Sequence, residues 1–504
     1  MKKRKSPEPK GNNKKKQNKR QEQHSKPLHQ RIERDVILFT ILSVVLFIII
    51  RSIYPIPDYI PDSKGYLLGS LKLADIGYRP MGISLFLSKM HKLNPSLVFV
   101  AWVQYALYLF SGLLIVHAFF SIYTFKPVAR KILLGIALLN LPMLQLANMI
   151  SSDSLFISLT IIWIALCILL IRKPGYLLLP ALLLVLWMSA FVRYNALIYP
   201  VVTVVALLFV RNRLIMITGS VLCIVLVWSF YNNITHKMVL ATGTKVLSGF
   251  SGWQLASNAM MAYKAIDDKG LNSDDKMLNE LDKNVVKYID SAKAADKNYA
   301  HSFSLDFMWS QDAPFAKAQH KYAVYSREGQ FVCWTKTSVV LQQYGRAIIE
   351  KYPVAFAKYY LFPNLVNFFY PELEFLEKYT APEIQLWGEI TQAYNTPEWA
   401  KNNHTTLPAT YNTPFRLLYL VISLVFVVLF LRFLFMFRKW DLDREVRLAL
   451  SFIGIYLFCK LGFEVFAAPI TLRYVLMTMP ILAGAILIML SAGKKADKAE
   501  KAAL

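Results

Sequence analysis

The feature that most restricts this chain is the recurrence of apolar runs of about 18 or more residues, the first of them, 36–53, containing most of "DVILFTILSVVLFIII" at Asp35–Ile50. A helix of that length crosses roughly 30 Å of hydrocarbon with its backbone hydrogen bonds satisfied internally. Ten such spans are expected, at 36–53, 97–122, 132–150, 154–171, 176–192, 195–210, 214–231, 414–436, 448–466 and 472–491. A membrane β-barrel would show alternating apolar and polar residues instead. Composition agrees, since 55% hydrophobic and 14% aromatic residues are too many for an ordinary soluble enzyme of 504 residues. The expected fold class is an all-α polytopic membrane protein.

Basic clusters orient the spans. "KKRK" and "KKKQNKR" near the start, Lys126 to Lys131, "RKPG" at 172–175, "RNR" at 211–213, "FRKWDLDR" at 437–444 and "GKKADK" at 493–498 all fall on one side when ten spans are counted. The positive-inside rule makes that side cytoplasmic and puts both termini there. The formal charge of +25 is thereby explained by topology signals and attraction to anionic lipid headgroups, with no nucleic-acid partner expected. Residues 1–35 form a basic tail expected to be disordered, and 492–504 a second cytoplasmic tail. The outer pieces are then a first outer loop, 54–96, inside the 36–231 membrane unit, and a mainly helical outer domain, 232–413, followed by the last three spans at 414–491. Within 54–96, "DSKGYLLGSLKLAD" and "PMGISLFLSKMHKL" carry apolar residues at helical spacing with lysines between, the pattern of two interfacial helices. Three of the four cysteines fall in spans and only Cys333 in the outer domain, which excludes an intrachain disulfide there.

Several charged residues break the hydropathy pattern at the outer boundary. Asp62 in "PDSKGY" and Asp153 in "SSDSLF" each stand where a helix begins, and a side-chain cap is the plain reading of either. Arg79 in "YRPMG", Arg193 in "FVRYN" and Arg473 in "ITLRYV" lie on the side that the positive-inside rule disfavours. Snorkelling explains one arginine; three beside two aspartates point to an anionic group at the outer leaflet, because guanidinium grips phosphate bidentately. Lys460 and Glu464, four apart in the ninth span, read as a buried ion pair beside that region, and Asp58 as a supporting acid four residues before Asp62. No Walker loop, GxSxG or HExxH is present.

This constellation resembles the GT-C superfamily of integral-membrane glycosyltransferases and is similar to lipid A aminoarabinose transferases and protein O-mannosyltransferases. The resemblance rests on "PDSKGY", "YRPMGISLFL", "SDSLF", "FVRYN" and "RYVLMTMP", in that order and at those places relative to the membrane. It covers the first seven spans well and the last three more loosely. It implies Asp62 as catalytic base or metal-site carboxylate, Asp153 as the second acidic residue near a metal or the acceptor, and Arg79 and Arg473 as groups facing a lipid phosphate. It also implies a polyprenyl-phosphate-linked sugar as donor and a glycan, lipid or protein acceptor. The sequence departs from the family in its first loop, where the acids are spaced Asp58-x-x-x-Asp62 instead of adjacent or alternating, and this puts a divalent metal ion at Asp62 and Asp153 in question.

The residue chemistry gives the same expectation independently. Displacing a prenyl phosphate from an anomeric carbon needs a base, Asp62, and cations for the departing phosphate, Arg79, Arg193 and Arg473. One base opposite the leaving group implies inversion. Two other readings compete: a transporter or flippase for a lipid-linked sugar, which calls for charges near the midplane and repeated halves, and an O-antigen ligase or polymerase, which relies on arginines without an acidic base. The expected location is a bacterial cytoplasmic membrane with the site facing outward.

Overall fold

The computed structural model describes residues 28–73, 76–303, 305–379, 388–395, 407–408, 410–437, 440 and 442–503. The chain is mostly helical, and among the described residues seven helical stretches are long and apolar enough to cross a membrane: Arg31–Ile53, Leu97–Ile122, Pro127–Ala147, Ser152–Arg172, Arg213–Thr242, Thr410–Phe435 and Arg444–Ala467. Three shorter apolar helices, Leu178–Val192, Tyr194–Leu208 and Thr478–Gly493, stand where the other expected spans lie. A 15-residue helix such as Leu178–Val192 rises only about 22 Å, short of a full hydrocarbon core.

Burial ranks the helices. Ser152–Arg172 is apolar around its whole circumference and 94% buried in its most apolar window, so it is the centre of the bundle. It packs against Leu97–Ile122, Leu178–Val192, Tyr199–Leu208 and Arg444–Ala467. Its Trp163 lies flat on Tyr199, ring centroids 4.1 Å apart, and donates its indole N–H to Thr203 Oγ1 at 2.9 Å. The first helix is peripheral, with Ile37, Leu38, Ile41, Val45 and Ile48 exposed for contact with lipid. A buried Arg130 to Asp35 ion pair ties it to the helix Pro127–Leu138.

Several boundaries differ from those expected. The first helix begins at Leu28, so the tail expected over 1–35 is helical in its last eight residues, and residues 1–27 lie outside the described residues. The third stretch, Pro127–Ala147, is made of two pieces: the first ends at Leu138, and after it Asn140 accepts the Met143 N–H and Pro142 stands in the opening turn of the second, Leu141–Ala147. The seventh runs on from Arg213 to Thr242 and stops at Gly243, whose φ of 71° favours glycine, so the following domain begins eleven residues later than 232. The last expected span divides into Leu472–Val475 and a helix from Thr478.

The loop 54–96 contains the two expected helices, Ser63–Lys72 and Gly82–Leu93. It is stitched to the bundle by backbone pairing that no hydropathy pattern announces. Asp58 and Tyr59 run parallel to Met149 and Ile150, Ser63 Oγ donates to the Ile150 carbonyl at 2.6 Å, and Arg51 donates to Asn148 Oδ1 at 2.6 Å. The later segment packs helices Ser251–Tyr263, Lys276–Ala295, Pro314–Ser326 and Gln330–Lys351 around Trp253, Met260, Tyr263, Phe315, Leu341 and Tyr344. "SGWQLASNAMMAY" is the core of that unit, since Trp253 and Tyr263 are buried in it. Asn258 fastens the unit to the bundle by donating to the carbonyls of Phe466 and Ala467, each at 3.1 Å.

Candidate functional site

Asp62 precedes the helix Ser63–Lys72 but does not cap it. Its own backbone is already helical, φ −72° and ψ −22°, and its side chain accepts no N–H of the first turn. The carboxylate turns instead to Arg79, whose Nη2 lies 2.7 Å from Oδ1. Arg79 stands just before the second helix of the loop, its guanidinium 5.1 Å above the Phe250 ring. Two glycines set this geometry by allowing close approach. A Cβ on Gly69 would lie 2.7 Å from Ser84 Oγ, and one on Gly82 would lie 2.5 Å from the backbone carbonyl carbon of Phe191. The first contact joins the two loop helices, which Ser84 also bonds through the Tyr66 carbonyl at 3.0 Å. The second presses Gly82–Leu93 against the end of Leu178–Val192, immediately before Arg193. Burial raises the Asp62 pKa above the usual carboxylate range, with the charges of Arg79 and then Arg473 opposing the rise.

Asp153 sits in the first turn of Ser152–Arg172, where Ser151 is the cap and accepts the Asp153 N–H at 3.2 Å. Freed from capping, its buried carboxylate bridges two arginines: Oδ1 accepts from Arg193 Nη1 and Oδ2 from Arg473 Nη1. Arg193 ends the helix Leu178–Val192 in an extended conformation, and Arg473 lies in the short helix Leu472–Val475. The Tyr474 ring packs against both guanidiniums, at 4.8 Å from Arg193 and 5.1 Å from Arg473, while Phe156 and Phe375 cover their other sides. Arg473 uses its remaining edge on Glu374, whose Oε2 lies 3.2 Å from Nε and 2.5 Å from Nη2.

Glu374 and Tyr474 escaped the sequence reading. Glu374 lies 99 residues from its partner, in "PELEFLEKY", where Glu372, Glu374 and Glu377 look alike. Only the backbone bridge between Glu372 and Thr471, with the Leu472 N–H donating to the Glu372 carbonyl at 2.7 Å, selects the middle one.

Lys460 and Glu464 form the expected buried pair, and the pair has a use. Lys460 Nζ also donates to the Tyr474 carbonyl at 2.9 Å, holding the aromatic residue on which both guanidiniums rest. Glu464 joins Asp153, Arg193, Asn195, Arg473, Tyr474 and Met477 in lining one narrow crevice. Asp58 belongs elsewhere. It is buried in the short strand pair, and its charge acts on tyrosines of another neighbourhood; burial first and Asp58 second push the Tyr379 pKa up. The spacing to Asp62 gives no sign of this second set of neighbours.

The site thus gathers Asp62, Arg79, Asp153, Arg193 and Arg473 from five separate stretches of chain at one end of the bundle, with Tyr66 OH 3.5 Å from Ser152 Oγ linking the Asp62 helix to the Asp153 helix. Its three acids, Asp62, Asp153 and Glu374, match its three arginines, so the cluster is neutral without a ligand. A divalent cation of the magnesium or calcium type takes about six or more hard oxygens. Here both oxygens of Asp153 and one of Asp62 already face guanidinium groups, and among the described residues no three acidic, histidine or cysteine side chains gather at one point. As they stand, the carboxylates of the site are taken up by guanidinium groups. Comparison of the chain with family models, with curated proteins and with solved structures gives no match.

Proposed function

We propose that this chain is a GT-C-like membrane glycosyltransferase with ten crossings and both termini cytoplasmic, which moves a sugar from a polyprenyl-phosphate donor to a hydroxyl of an acceptor outside the cytoplasm. The observation that carries the reading is Asp62: a partly exposed carboxylate, raised in pKa by its surroundings, beside a cluster of arginines at one end of an apolar helical bundle. A base tuned upward from the ordinary carboxylate range is better matched to taking a proton near neutral pH. Oriented guanidiniums favour the developing charge of a departing phosphate.

In this mechanism the acceptor oxygen attacks the anomeric carbon, its proton passes to Asp62, and the bond from that carbon to the phosphate oxygen breaks. The electron pair leaves with the prenyl phosphate, whose added negative charge is met by Arg79 and by the Arg193 and Arg473 pair. Attack opposite the leaving group inverts the anomeric centre. Asp153 takes the part of a positioning residue: it holds Arg193 and Arg473 side by side, and no proton transfer is assigned to it. The test is Asp62→Asn assayed with a labelled polyprenyl-phosphate sugar and extracted membrane acceptors. Turnover is expected to fall by about 10²–10⁴-fold, and full retention would remove Asp62 as base.

A further inference from the structure

We infer that Glu374 occupies the position of the ligand phosphate at Arg473 and must leave it when an anionic lipid headgroup binds. The inference rests on the proposed reading for the identity of the anion, a phosphate on a polyprenyl chain. Its structural basis is separate. One oxygen of Glu374 spans the Nε and Nη2 edge of Arg473, the same edge with which guanidinium takes a phosphate. With that edge filled and Asp153 holding Nη1, Arg473 has little left to offer another anion.

Among the three acids of the neutral cluster, Glu374 is the one suited to departure. The Asp153 side chain is 2% exposed and bridges two arginines, and the Asp62 side chain is 27% exposed; Glu374 is 36% exposed and holds a single arginine. Asp153 is anchored in a long central helix, whereas Glu374 begins a three-residue 3₁₀ turn with φ at 52°, a left-handed conformation that costs a glutamate energy. Moving the turn that carries Glu374 outward lets that backbone relax and frees the guanidinium edge without disturbing the Asp153 bridge. The cluster then carries one unmatched positive charge, which a phosphate supplies with its counter-charge. Glu374 therefore works as an internal competitor: the empty site stays neutral, and headgroups lacking a phosphate do not displace it.

A competitor lowers apparent affinity by the fraction of time the site is open. If Arg473 is free of Glu374 about a tenth of the time, removing the charge tightens binding about tenfold. The experiment uses the full-length protein in detergent, with a polyprenyl phosphate as probe, followed by native mass spectrometry or tryptophan fluorescence. Glu374→Gln and Glu374→Ala are each expected to bind the probe about tenfold more tightly than the wild type, with the corresponding uncharged prenol unaffected. Inorganic phosphate serves as a second arm: an equal gain there assigns the site to free phosphate, and a gain confined to the prenyl phosphate assigns it to the lipid. Hydrogen exchange on the wild type provides an independent reading, the amides around Glu372–Leu376 and Leu472 exchanging faster once the probe is bound. Unchanged or weaker binding in both variants, or unchanged exchange at those amides, overturns the inference. Turnover of the wild type with the labelled polyprenyl-phosphate sugar decides the glycosyl-transfer reading without reference to these binding results, so failure of either can be told from failure of the other.

Discussion

Replacing Asp153 by asparagine removes the charge that two buried arginines share, and its cost can be worked from their surroundings. Breaking a buried ion pair by deleting one partner costs roughly 3–5 kcal/mol, because the other charge stays behind unpaired. Arg473 retains Glu374, so it is partly protected. Among the described residues Arg193 has no second ion pair within contact distance; it keeps the faces of Phe156 and Tyr474, at 5.7 and 4.8 Å, and the charge of Glu464 across the crevice, and is the group left more nearly stranded. The loss is therefore expected at the upper end, about 5 kcal/mol. Unfolding entropies of about 2.1 cal/mol/K per residue give roughly 1 kcal/mol/K over 504 residues, so this amounts to a fall of about 5 °C in the melting temperature. The measurement is thermal unfolding of the purified protein in a single detergent, with Arg193→Gln added on top. The double variant is expected to recover about half of the loss, since it no longer strands a cation. Asp153→Asn melting within 1 °C of the wild type, or a double variant melting below the single one, would refute the stranded-arginine argument.

Three further outcomes are expected. The pKa of Asp62 is raised in the folded chain, so the native state holds this proton more tightly than the unfolded state; ionising it costs stability as pH rises from the unfolded value, about 3.9, through the folded one. The acid limb of the pH–rate profile should accordingly lie above the ordinary carboxylate range and move further up in Arg79→Gln, while Asp62→Asn should be no less stable than the wild type at pH 7; a limb near 3.9 in both enzymes contradicts this. Gly82→Ala forces a methyl group into the Phe191 backbone and should cost about 1–3 kcal/mol, read as a lowered melting temperature, with a neutral result showing that the two helices separate freely. Chelation with EDTA should leave turnover intact, since guanidinium groups already engage the carboxylates, and activity lost on chelation and restored by magnesium or manganese would show that a metal displaces them.

Much of the site was legible because its members offend a local rule. Asp62, Arg79, Asp153, Arg193 and Arg473 stand out as charges at the margins of apolar runs, and Lys460 and Glu464 as charges inside one, where desolvation makes each costly unless it is paired. The glycines of "GYLLGS" and "PMG" were visible as residues, yet their purpose, close approach to Ser84 and to the Phe191 backbone, depends on neighbours that the quoted stretches do not contain. Asp58 shows the reverse: nearness to Asp62 along the chain says nothing of its pairing with Met149 or of the tyrosine on which its charge acts.

By itself, then, the sequence determined which segments are apolar helices, that two short helices follow the first of them, and which charges needed an explanation. Hydropathy and helical period are properties of neighbouring residues, and solvent or lipid enforces them wherever the segment lies. The partners were decided only by tertiary structure. Asp153 meets Arg473 across 320 residues, and Glu374 meets it across 99 through a backbone bridge at Thr471. Ion pairing in a bundle is set by which helix ends converge, and three similar glutamates in one loop differ in nothing but the backbone contact that aims one of them at an arginine.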